Sequence, residues 1–179
     1  MRCSSIASIV FTILMSGVIA QGSTQMDVLH YTATIEPDIA GKSVKGTVRI
    51  RFSTESDEAE FNCGDLIIDS VRLARATPKF AVVDHRLRVS LPRDRRTREI
   101  EIDFHGTPKY GIRFFPDRQQ VYTIFSTSQW MVCIDDPADK ATLTFRLILP
   151  RTLTPVANGN FVSQRDFASN KRVSEWRQG

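Results

Sequence analysis

The chain has no Cys-x-x-Cys pair, no His-Glu-x-x-His motif, no Gly-x-Ser-x-Gly elbow and no glycine-rich phosphate loop between a strand and a helix. These absences leave no sign of zinc or thiol redox chemistry, of a hydrolase nucleophile or of nucleotide binding. Cysteine is scarce, with three residues in all. Cys3 lies near the start, and Cys63 and Cys133 are far apart, so one bridge is permitted but a domain of this size does not demand it. The three histidines, His30, His85 and His105, lie in or beside predicted strands. None has a second histidine or a carboxylate at helical ligand spacing, so each reads as a solvent-facing strand residue and no metal ligand is assigned.

Charge of one sign is also lacking. The net charge is +4 over 179 residues, and removing residues 1–20 leaves 23 basic against 20 acidic side chains. That balance is too slight to imply nucleic acid. The densest basic stretch, Pro92-Arg93-Asp94-Arg95-Arg96-Thr97-Arg98, has no aromatic residue interleaved for base stacking and reads as a solvated hairpin loop.

What is present begins with Arg2 ahead of an uncharged apolar run from Ile6 to Ala20. The run is shorter than the roughly 20 residues of a membrane span, and small residues precede Gln21, so residues 1–20 read as a secretory signal peptide cleaved after Ala20. Cys3 precedes the run and cannot be an acylated lipoprotein cysteine. The expected product is one secreted or periplasmic domain, residues 21–179, with no membrane span after cleavage.

Within it, Leu29, Tyr31, Ala33 and Ile35 alternate with polar residues, as do Val44, Gly46, Val48, Ile50 and Phe52. Period two predicts strands. Pro37 and Gly41 mark a turn between them, which predicts an antiparallel pair over 28–53 with one wet face. Similar short runs occur at 66–73, 80–83, 87–91, 100–104, 121–125, 143–149 and 153–157, and no sustained 3.6-residue period appears. The expected fold class is all-β, a large twisted antiparallel sandwich or saddle with very little helix. Residues 106–120, "GTPKYGIRFFPDRQQ", read as a long excursion with a partly buried aromatic patch.

The acidic cluster Asp135, Asp136 and Asp139 invites a catalytic or calcium reading. Lys140 follows at once, which argues against two carboxylates in contrasting environments. Residues 133–144 lack the alternate oxygens and the glycine of a calcium loop. A structural turn fits better: Asp135 and Asp136 accept backbone N–H bonds, Pro137 fixes φ, and Lys140 pairs with an aspartate before a strand begins.

Trp130-Met131-Val132-Cys133-Ile134-Asp135-Asp136-Pro137-Ala138-Asp139-Lys140-Ala141-Thr142 resembles the W-F-P-C-x-D-x-P-x-x-K-A-T segment in the N-terminal domain of the aminopeptidase N family of zinc metallopeptidases, which includes the leukotriene hydrolases. Residues 28–52 resemble that family's opening hairpin, and 143–164 its strand, Leu-Pro turn, strand and Ala-Asn-Gly turn. The resemblance spans most of 27–176. It implies a β-saddle domain in which Trp130, Cys133, Asp135, Asp136, Pro137, Lys140, Ala141 and Thr142 are architectural.

Zinc is expected only in a complete family member, whose catalytic domain carries the G-x-M-E-N and H-E-x-x-H motifs, both missing here. The family's Gln-x-Glu element for a substrate's free amine is also missing from "QQVYTIFSTSQW", so Gln119, Gln120 and Gln129 remain unselected and no substrate-binding residue is assigned. The expectation is an exported fragment that lacks the family's last strands, inactive alone, meeting peptide substrates through a zinc domain in a longer protein. The alternative is a free-standing secreted binding module.

Overall fold

The computed structural model describes residues 26–179 except 75, 95 and 169. The expected signal peptide lies outside the described residues. Strands β1 (Asp27–Asp38) and β2 (Ser43–Ser53) form the predicted antiparallel pair. Asp38 Oδ1 accepts the Gly41 N–H at 3.0 Å, and Lys42 turns the chain at φ 51°. Alternation then puts Ala33, Ile35, Val48, Ile50 and Phe52 on one buried face.

The remaining strands are β3 (Glu58–Asn62), β4 (Ile67–Leu73), β5 (Phe80–Val83), β6 (Arg86–Ser90), β7 (Thr97–Gly106), β8 (Ile112–Phe115), β9 (Gln120–Thr123), β10 (Thr142–Pro150), β11 (Asn160–Phe167) and β12 (Lys171–Gln178). They build a seven-stranded sheet ordered β11-β12-β10-β1-β2-β7-β4, a three-stranded sheet β3-β6-β5 and the hairpin β8-β9. Helix is confined to two 3₁₀ turns among the described residues, at Pro116–Arg118 and Thr127–Gln129. None of these is long and apolar enough to cross a membrane. The fold is all-β, as its alternation predicts.

The core lies between the large sheet and the three-stranded one. Val71, Ile100, Ile102 and Phe104 extend the buried face across β4 and β7, and Phe61, Leu87 and Val89 close it from the small sheet. Phe52 meets Phe61 edge to face, with ring centroids 5.5 Å apart. The opposite face of the large sheet is a lattice of polar pairs. Asp103 accepts from Thr47 and Ser70 at 2.7 and 2.8 Å, and Glu101 takes Arg49 and Arg72. One face is apolar and the other hydrated, which is the arrangement that period two encodes.

Four expectations are corrected. The large sheet is mixed, because β1 pairs with β10 in parallel, His30 opposite Thr142 through Ile35 opposite Leu147. Alternation encodes faces and carries no information on strand direction. Residues 153–157 form no strand, because Pro155 interrupts the run and the chain passes irregularly to β11. The excursion 106–120 contains a real strand, β8, whose hairpin with β9 stacks Phe115 on Tyr122 at 5.5 Å. Residues 92–98 form no hairpin loop, since they carry the chain from the small sheet to the large one. Arg93 there pairs with Asp57 and Arg96 with Glu55, while the buried Arg98 donates to the Pro92 carbonyl. Strands β3, β11 and β12 also escaped the sequence reading.

Replacing Phe61 by Ala should cost about 3–5 kcal/mol, because it removes a fully buried ring at the join of the two sheets. Replacing Phe125, which is 89% exposed, should cost under about 0.5 kcal/mol. Urea unfolding of the two variants checks this; equal losses would contradict the placement of the core.

Candidate functional site

The segment from Trp130 to Thr142 is anchored on three sides. Asn62 and Cys133 exchange backbone hydrogen bonds of 2.7 and 3.1 Å, and Asn62 Oδ1 accepts the Asp135 N–H at 3.0 Å. Asp135 Oδ2 accepts from the Ser128 hydroxyl at 2.7 Å. The Asp139 N–H closes a turn onto the Asp136 carbonyl at 3.0 Å, Pro137 occupies its second position, and Asp136 Oδ1 accepts the Ala138 N–H at 2.9 Å. Trp130 packs edge to face on Phe145. Ala141 leads into Thr142, whose hydroxyl donates to the Leu29 carbonyl at 3.1 Å where β10 begins. The expected turn is therefore present, with two differences. Asp135 reaches back to the 3₁₀ turn, and no ion pair among the described residues involves Lys140.

Asp139 binds the turn to β1. Its oxygens accept from the Val28 N–H and the Tyr31 hydroxyl, each at 3.4 Å, and the same hydroxyl accepts the Ile134 N–H at 2.9 Å. Burial holds the Tyr31 hydroxyl firmly protonated. The thiols of Cys63 and Cys133 are both free and buried. Burial pushes Cys63 up to about 11 and Cys133 up as well, so both remain thiols at neutral pH.

A cleft of about 600 Å³ beside the turn is lined by Asp27, Glu58, Glu60, Asp136 and Asp139. Among the described residues no three His, Cys, Asp or Glu side chains are placed to hold one metal ion. Partial burial, then Asp27 and Asp136, raise the Asp139 carboxyl above its ordinary value, against the Val28 and Tyr31 hydrogen bonds.

The histidines lie apart. His85 Nδ1 meets the Gly64 carbonyl and Asp65 at the β5–β6 turn, and His105 Nδ1 meets Asp69. His30 lies between two threonines of β10.

The glutamines divide clearly. Gln129 is 7% exposed and wedged between Gly64 and Gly111, where a Cβ on either glycine would meet it within about 3 Å. Gln119 bonds the Pro116 carbonyl through its own amide, and Gln120 is exposed at the start of β9. Gln129 is thus buried in this domain, which spacing did not reveal.

The feature that sequence reasoning missed is an apolar groove of about 480 Å³. The core face of the large sheet continues past the small sheet onto β10, where Leu143, Phe145 and Leu147 meet Trp130 and Met131, with β8 and β9 as one wall. Phe125 and Val156 stand on its rim, 89% and 88% exposed. Alternation marks Leu143, Phe145 and Leu147 as inward-facing, but it does not show where the covering layer stops.

Substituting Asp139→Asn gives up one of two long 3.4 Å acceptor contacts but removes a carboxylate held in an unfavourable setting, so it should raise the melting temperature at pH 7 by about 2 °C. Because the folded group is raised, its protonated form favours folding, and the wild-type cost appears as pH rises through the folded value. The difference between the two proteins should therefore shrink on acidification, which thermal denaturation at pH 4 and 7 will show. A widening gap would contradict the assignment.

Residues 28–179 match the family model of the peptidase M1 N-terminal domain. No curated protein matched at a significant level. Among solved structures, the M1 zinc metallopeptidase of Deinococcus radiodurans superposes with a TM-score of 0.76 at 20% identity, covering 86% of this chain and 39% of that one. A point mutant of it bound to a Tyr-Ser-Ala substrate gives 0.77, with the same identity and coverage. A two-domain M1 zinc metallopeptidase mutant bound to L-tryptophan gives 0.76 at 19% identity, also over 86% and 39% of the two chains. This chain thus spans well under half the length of those structures, on a shared β fold. With 152 of its residues matched and the architecture of its sheets in agreement, the chain belongs to the peptidase M1 N-terminal domain family.

Proposed function

We propose that the chain is the exported N-terminal domain of a zinc aminopeptidase-like protein, without catalysis of its own, and that it shapes the entrance for peptide N-termini when a zinc domain is present. The observation that carries this reading is the open groove. A domain that closes its core under most of one sheet face, yet leaves Phe125 and Val156 exposed over Phe145 and Trp130, offers a surface that a second apolar surface would dehydrate. The non-catalytic part is supported by the separate hydrogen-bonding duties of the three histidines and of Asp135, Asp136 and Asp139. Export is supported by the basic-then-apolar pattern of residues 1–20.

The test is complementation. The zinc domain of the Deinococcus radiodurans enzyme, produced without its N-terminal region, is assayed for release of the first residue of a tripeptide with and without this chain. Added chain should raise kcat/KM, and this chain with zinc alone should release nothing. Changing Phe125 and Val156 together to Ser should weaken the effect about tenfold or more, the scale set by two buried apolar side chains. Turnover by this chain alone, or a zinc domain indifferent to it, would overturn the reading.

A further inference from the structure

The pairing of β1 with β10 is the one parallel seam among the described strands, and β12 and β11 join the rest of the large sheet only through β10. His30 sits on that seam. Its Nδ1 lies 2.6 Å from the Thr142 hydroxyl, and its Nε2 lies 3.2 Å from the Thr144 hydroxyl. The Thr142 hydroxyl has a single proton, which it donates to the Leu29 carbonyl at 3.1 Å. Toward His30 it therefore accepts, so Nδ1 carries the ring proton, and Nε2 accepts from Thr144. Every donor then has one acceptor, and the neutral ring ties two residues of β10 to β1.

A second proton on the ring reverses one of these bonds. It sets an N–H against the Thr144 hydroxyl, whose proton must then turn away. It also adds positive charge near Arg51 of β2 and Arg177 of β12, which Glu99 of β7 opposes. Partial burial, then Arg51 and Arg177, hold the imidazole below its ordinary value. A folded group displaced downward adds stability that is complete above the ordinary histidine value of about 6.5 and is lost as pH falls below it.

We propose that His30 is a proton-sensitive joint in the parallel seam, and that its protonation loosens the leaf formed by β10, β12 and β11 from the rest of the sheet. The leaf supplies Leu143, Phe145 and Leu147 of the groove, so acidification relaxes the groove on one side. That consequence for docking rests on the function proposed above, whereas the joint itself does not.

Amide hydrogen exchange on the purified full chain, with no zinc domain present, separates the two. After correction for intrinsic rates, β10 amides should exchange about fivefold faster at pH 5.5 than at pH 7.5, while β2 and β7 remain unchanged. His30→Gln, whose amide keeps a donor and an acceptor between the two threonines, should abolish the response. Uniform acceleration across the sheet, or an unchanged response in His30→Gln, would overturn the joint. Should that variant fail to fold, nitrogen NMR of wild-type His30 decides: the expected result is an Nδ1–H tautomer titrating below 6.5, and an Nε2–H tautomer or a midpoint at or above that value refutes it. Failure of docking leaves these readouts untouched.

Discussion

Everything in this domain depends on β1 finding, more than a hundred residues later, a strand that runs parallel to it. Two strands joined by a short turn can only be antiparallel, so the intervening chain must leave the sheet and return at the end from which β1 began. Before it returns it builds β2, β4 and β7 of the large sheet, the small sheet and the β8–β9 hairpin. The return is fixed by the acidic turn, where the Tyr31 hydroxyl and the Val28 N–H of β1 bind Asp139 and the Ile134 N–H binds Tyr31. Thr142 then engages Leu29 and the ladder begins. The segment rich in carboxylates is thus a docking device for the backbone, and its charges serve as acceptors of N–H and O–H groups.

The same intervening chain also carries the small sheet onto the core in two visits, β3 between β2 and β4 and then β5–β6 between β4 and β7. Phe61, Leu87 and Val89 are delivered onto Ile50, Phe52 and Ile102 by the same stretch of chain that must later reach Thr142. The cover extends only as far as that stretch does. Past β1 the large sheet continues to β10, which keeps Leu143, Phe145 and Leu147 on the same face, and there Phe145 has Trp130 above it and open space beside it.

How much of this could be read from the residues follows from what alternation encodes. It places Tyr31, Ala33, Ile35 and Phe52 correctly and finds β5 at Phe80–Val83 to the residue. It is blind to β11, all of whose described residues are exposed, because an edge strand with two wet faces has no pattern to show. It over-reads Leu153–Ala157, where apolar residues occur without a neighbouring strand to pair with. The aspartate turn was legible because Asp136, Pro137 and Asp139 act within four consecutive residues. The groove was not, because it is made by the absence of a layer, and Gln129 was not, because its burial depends on Gly64 and Gly111 arriving from distant segments.

The same geometry sets the acidic turn and the groove apart. Carboxylates that catalyse must be free to take and give protons at a reacting atom, and Asp135, Asp136 and Asp139 are committed to Ser128, Ala138 and Tyr31. Removing them from those duties would free the start of β10. The apolar surface has no such commitment. Each exposed ring over it raises the free energy of the isolated domain by an amount proportional to the area left in water, and that cost falls only when another surface arrives. A fold that encloses its main core fully yet retains this strip is stabilised further by association. The physical tension in the molecule is therefore at β10, where the strand that completes the sheet is also the strand left half uncovered.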